Sequence, residues 1–139
     1  MIEKISSNNS LLAILLKNTH KESGVNFFTE NSNFLQLGYM QYGVGKIIKP
    51  HRHLEVKRTI NTTQECLFIR KGKLQVDFYL PNNELLCSRI LEEKDTLLII
   101  SGAHGFKVLE DIEMIEIKQG PYNDDKVFIK TASKLDPIK

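Results

Sequence analysis

Apolar positions in this chain fall into short runs broken by turn residues, and one run near the start carries helical spacing. Leu11, Leu12, Leu15 and Leu16 form one stripe of a 3.6-residue repeat, with Ser10 placed before them as an N-cap. The spacing predicts a short N-terminal helix over residues 11–18, in a region ended by Ser23-Gly24. Strand-like runs follow at 25–28, 34–42 and 44–49, the last stopped by Pro50. Further runs cover 64–70, 74–80, 85–91, 95–100, 104–109 and 112–119. Lys71-Gly72-Lys73 reads as a tight turn with glycine where φ must be positive, and Pro81-Asn82-Asn83-Glu84 as a second turn. Eight or more short strands separated by turns predict an all-β, antiparallel sandwich or barrel.

Composition narrows the class. A chain of 139 residues is one domain, 1–139, large enough for a real core. A net charge of +2, with no Lys/Arg run, argues against a nucleic-acid partner. No apolar run approaches the roughly 20 residues that span a bilayer, so no membrane partner is expected. The apolar piece at 11–16 is too short for a leader and runs into Lys17, Asn18 and His20 without a small-residue cleavage site. Cys66 and Cys87 lie in apolar strand contexts and read as small buried hydrophobes of a reducing, cytoplasmic compartment. The tail from Asp124 is polar and offers no site.

The candidate chemistry lies in two stretches. His51 and His53 flank Arg52, and on extended chain residues two apart project from one face, so both rings aim at one point. Alone, such a pair is as consistent with an ordinary surface. Glu65 on the next strand can add a carboxylate, and His104, behind Ser101-Gly102-Ala103, a third imidazole. Three imidazoles and a carboxylate with positions left open suit a divalent transition metal: Fe, Mn, Ni or Zn. If Glu65 points inward, so do Leu67 and Ile69; if His104 does, so do Phe106 and Val108. Cys66 and Phe68 are also apolar, so this strand reads as buried on both faces, under a second sheet or a partner chain.

The order Gly45, five residues, His51-x-His53, Glu65, six residues, Gly72 resembles the first motif of the cupin superfamily, and His104 behind Gly102 resembles the His of the second. The sequence departs from that pattern in several places. Eleven residues separate His53 from Glu65 where three or four are usual, Lys94 and Ile100 stand where Gly and Pro are usual, Gly102 and His104 are one residue closer than usual, and Val108 replaces a frequent Asn. The resemblance spans about residues 34–122. It implies a double-stranded β-helix (jelly roll) and a metal on His51, His53, Glu65 and His104. It also implies a small-molecule ligand such as a sugar or sugar-nucleotide, with isomerisation or epimerisation as the leading reaction class.

Met114, Glu116 and Lys118 share one face of the last strand, and Ile115 and Ile117 the other. The charged face is either solvent, with a structural ion pair, or the barrel lumen. In the lumen Glu116 and Lys118 are catalytic candidates, for acid/base work and for holding an anion. Small cupins of bacterial surface-polysaccharide gene clusters, which this chain resembles, end in a comparable Glu-x-Lys-Gln-Gly-Pro-Tyr segment, here Glu116 to Tyr122. Three other functions stay open: a non-catalytic ligand-binding module, a metal-free sugar epimerase with a histidine base, and an Fe(II)-dependent oxygenase. A homodimer that exchanges the N-terminal apolar segment across a two-fold axis is the expected assembly.

Overall fold

The computed structural model describes residues 1–131, so the end of the polar tail lies outside the described residues. The fold is all-β and antiparallel. In chain order the strands are β1 (Ile2–Ser7), β2 (Ser10–Leu16), β3 (Gly24–Phe27), β4 (Gly38–Gln41), β5 (Glu65–Tyr79), β6 (Leu85–Leu91), β7 (Thr96–Ile99) and β8 (Ala103–Lys118). No helix among the described residues is long and apolar enough to cross a membrane. Two compact units result: Met1–His20 with the chain from Thr63 onward, and Lys21–Thr62.

The first unit is a six-stranded sheet in the order β1-β2-β7-β5-β6, with β8 paired along β5. Its core gathers Ile5, Leu12, Ala13, Leu15, Leu67, Ile69, Leu74, Val76, Phe78, Leu91, Leu97 and Ile99. Each such fully buried large side chain contributes about 1.5–3 kcal/mol.

The helix expected over 11–18 is instead strand β2, paired with β1 on one side and β7 on the other. Two local causes account for it. Asn8 and Asn9, at φ 47° and 63°, supply the left-handed pair that closes a two-residue hairpin. The run Leu12 to Leu15 is buried on both faces: Ala13 and Leu15 lie opposite Ile99 and Leu97 in the core, and Ile14 lies opposite Leu98 on the other face. A strand buried on both faces shows no period of two, so its leucines imitate a helical stripe.

The tight turn expected at Lys71-Gly72-Lys73 does not form, and 64–70 and 74–80 merge into the single strand β5. Register shifts between Ile69 and Leu74 mark bulges against β8, which likewise merges 104–109 with 112–119. Gly72 sits at the bulge with φ 89°, and a Cβ there would stand 2.1 Å from the Asp111 carbonyl oxygen. The bulge changes the inward parity from odd at Leu67 and Ile69 to even at Leu74, Val76 and Phe78. The Pro81–Glu84 turn is found as expected, closed by Leu80 N–H donating to the Glu84 carbonyl at 2.8 Å.

In the second unit β3 and β4 form a hairpin, with Val25 opposite Met40. Gln36 ties its connection, accepting from Thr29 Oγ1 at 2.7 Å and donating to the carbonyls of Glu30 and Asn33. The strand expected at 44–49 is absent, and no strand is present from Tyr42 to Gln64.

Candidate functional site

Glu65 opens β5 between two neighbours, with Ile99 of β7 opposite on one side and Lys118 of β8 on the other. Directly opposed residues of an antiparallel pair share a face. Glu65 therefore shares the concave, core face with Leu67, Ile69, Ile99 and Lys118. Glu116 opposes Leu67, so it stands on that face too. Both β8 side chains are exposed there.

His104 arrives from the other end of the sheet. After β7 the chain reverses at Gly102, φ 81°, where a Cβ would press to 3.0 Å on Leu12. β8 then starts with Ala103, and His104 opposes Phe78, so its ring also points to the concave face. His104 Nε2 lies 3.1 Å from Glu65 Oε2, with both side chains largely buried. His104 Nδ1 is buried with no hydrogen-bond partner. The hydrogen bond from His104 holds the Glu65 carboxyl below its ordinary value of 4.5, against the upward push of burial. The charges of His104, Lys118 and Lys126 act in the same direction as that bond.

The aliphatic lumen expected below His104 is not closed. Phe106 and Val108 share its face but are 42% and 55% exposed; among the described residues β8 pairs with β5 alone. The Phe106 ring stands 5.3 Å from the His104 ring, centre to centre.

His51 and His53 belong to the second unit. They lie on irregular chain rather than on a strand, so strand parity does not bring them together. Their rings are nonetheless neighbours, with centroids 5.6 Å apart and planes at 73°. His51 Nδ1 is 2.9 Å from the Lys49 carbonyl oxygen. Both are exposed. Neither unit by itself, among the described residues, gathers three His, Cys, Asp or Glu side chains able to hold a metal. The four expected ligands thus divide into two pairs, one in each unit.

The Glu65–His104 separation is that of an ordinary hydrogen bond and is also compatible with two donors sharing an ion. Donors about 2.1 Å from an ion stand about 3.0 Å apart when adjacent in an octahedron and about 3.4 Å in a tetrahedron. The observed 3.1 Å falls in that range.

Sequence reasoning gives the tail from Asp124 no role. Gln119 Oε1 accepts from the backbone N–H of Gln64, and Thr63 Oγ1 donates to Asp125. These contacts hold the approach to Glu65 and bring Lys126 close enough to act on its carboxyl. Nothing in the polar composition of the tail signalled this. Phe106 was read only as lumen wall, although an exposed aromatic two residues from a candidate ligand is a signal of its own. No family model, curated protein or solved structure matches the chain.

Proposed function

We propose that this protein is a small metal-binding cupin of jelly-roll fold that acts on a sugar, sugar-nucleotide or similar small polar ligand, with isomerase- or epimerase-type chemistry. The carrying observation is the Glu65–His104 pair, 3.1 Å apart and joined by Glu116 and Lys118 on one concave face. Glu65 and His104 would be ligands to that ion in the first unit. A divalent metal in that place would supply Lewis acidity toward a carbonyl or hydroxyl. The chain's own side chains do the rest. Lys118, opposite Glu65, offers an ammonium to an anionic part of the ligand, and Glu116 offers a carboxylate able to take or return a proton. Phe106 gives the ligand an apolar ring to lie against.

The test is metal content. Untagged protein prepared without chelator should hold about one transition-metal ion per chain. Glu65→Gln and His104→Ala should each abolish its retention while the strand signature in circular dichroism persists. Absence of stoichiometric metal overturns the metal reading.

One observation favours a second reading, the metal-free epimerase. With Nε2 bonded to Glu65, His104 keeps Nδ1 unpaired, and a histidine oriented by a carboxylate is a general base. That reading predicts unchanged ligand turnover after chelation. A cytoplasmic homodimer completes the proposal. It is supported by two free cysteines and by Phe68, Ile115 and Ile117, exposed together on the face opposite the core. Gel filtration giving only a 16.0 kDa species would remove the dimer.

A further inference from the structure

A depression of about 330 Å³ lies at the end of the first unit where three turns meet. The β1–β2 turn contributes Ser7, Asn8 and Ser10, and the β5–β6 turn contributes Leu80, Pro81 and Asn83. The β7–β8 turn contributes Gly102 and Ala103, while Leu12 and the buried Tyr79 complete the wall. Ala103 and His104 are successive residues of one strand, so they point to opposite faces. The depression is therefore a different place from the Glu65–His104 centre.

Its chemistry is distinct as well. Among the described residues, no Asp, Glu, Lys, Arg or His lines it. Its lining is aliphatic and aromatic at Leu12, Leu80, Pro81, Ala103 and Tyr79, and it carries two hydroxyls, of Ser7 and Ser10, and two carboxamides, of Asn8 and Asn83. An uncharged wall gives a formal charge no partner, so an ionic ligand would be desolvated without compensation. The volume matches roughly eleven waters, enough for one small ring and too little for a peptide helix or an oligosaccharide. Apolar surface combined with neutral donors and acceptors suits a pyranose, which shows C–H groups on one face and hydroxyls at its edge.

We infer that this three-turn depression is a second ligand site, taking one neutral monosaccharide unit. It is independent of the proposed metal centre and goes beyond that reading. Asn8 and Asn83 set the selectivity through their carboxamides, and both sit at positive φ, 47° and 68°. Replacing them with glycine therefore removes the amides while keeping the backbone that the turns require.

The test is an amide NMR titration of the full chain with methyl α-D-glucopyranoside, with sodium gluconate as the charged control. Saturable shifts are expected at Ser7, Ser10, Gly102 and Ala103 with the glycoside and not with gluconate. In Asn8→Gly/Asn83→Gly, with unchanged melting temperature, the affinity should fall about tenfold or more, the effect of losing two hydrogen bonds. Four results would each overturn the inference: shifts that rise without saturation, shifts centred on Glu65 and His104, equal response to gluconate, or undiminished affinity in the variant.

Discussion

His104 and Glu65 touch although the ladder places them at opposite ends of a strand. His104 opposes Phe78, thirteen residues beyond Glu65 on β5, a separation of about 43 Å along a straight strand. Only a strongly curled β5–β8 ribbon brings Nε2 and Oε2 to 3.1 Å, so the pair reports the curvature of the sheet. The Glu65 carboxyl lies below its ordinary value in the folded protein. Its bond thus stabilises the fold above the unfolded carboxyl's value and is lost as acid carries pH through the lower folded value. Glu65→Gln should cost about 1 kcal/mol near neutral pH and progressively less in acid, as pH falls through the carboxyl's lowered folded value. Urea denaturation near neutral pH and in acid checks this, and an equal deficit in both would refute the ionic origin.

Gly72 is where that curl is made. A methyl group there would meet the Asp111 carbonyl oxygen at 2.1 Å, against backbone that cannot step aside. The positive φ adds strain for any L side chain. Gly72→Ala should destabilise by about 3 kcal/mol or more, read as a lower urea midpoint. It should also loosen the His104–Glu65 contact, visible as a rise of the Glu65 carboxyl's titration midpoint in carbon-13 NMR.

Much of this architecture was legible from turn residues and alternation, and the failures share a cause. The turn at Pro81–Glu84 and strand β6 were read correctly because their punctuation is local. The strand at Ser10–Leu16 was missed because burial on both faces erases its period, and β5 was cut in two because a bulge glycine looks like a turn glycine. Glu65 and His104 were singled out by residue type and spacing. That His104 would oppose Phe78 and still reach Glu65 depends on sheet curvature, which no local pattern encodes. Lys126 was invisible because its influence comes from a tail whose path is set by Gln119 and Asp125, not by hydrophobic spacing.

The missed hairpin has its own test. Asn8 and Asn9 occupy left-handed backbone that costs most residues about 1–2 kcal/mol each. Asn8→Ala/Asn9→Ala should lower stability by about 2 kcal/mol, whereas Asn9→Gly should be neutral or slightly stabilising. A helical 11–18 segment would respond to neither pair in this order. Thermal melts of the three proteins distinguish the cases.

Asp95 anchors the entry to β7 from a fully buried position. Its carboxylate accepts from the backbone N–H of Asn18 at 2.7 Å and of Glu92 at 2.8 Å, and pairs with Lys17 Nζ. Asp95→Ala leaves two backbone donors and a partly exposed ammonium without their partner and should cost about 2–3 kcal/mol. Lys17→Met keeps both backbone bonds and, with Lys17 partly exposed, should cost about 1 kcal/mol. Equal losses in the two variants would show that the backbone bonds contribute little.

Cys66 and Cys87 test the two faces of the sheet. Cys66 lies in a row with Leu98 and Ile117 on the face away from the core, whereas Cys87 opposes core-facing Phe78, twelve residues further along β5. Burial pushes both thiols up, with the nearby Glu3 and Asp77 charges adding to that effect at Cys87 and Arg89 opposing it. Less thiolate at a given pH means slower alkylation. Iodoacetamide at mildly alkaline pH should label both positions at least about tenfold more slowly in the folded protein than in urea. Because Cys66 and Cys87 point to opposite faces from distant places on the strand, mild oxidant should leave both free within one chain. A Cys66–Cys87 disulfide in non-reducing peptide maps of monomeric protein would contradict the β5–β6 register from which this placement comes.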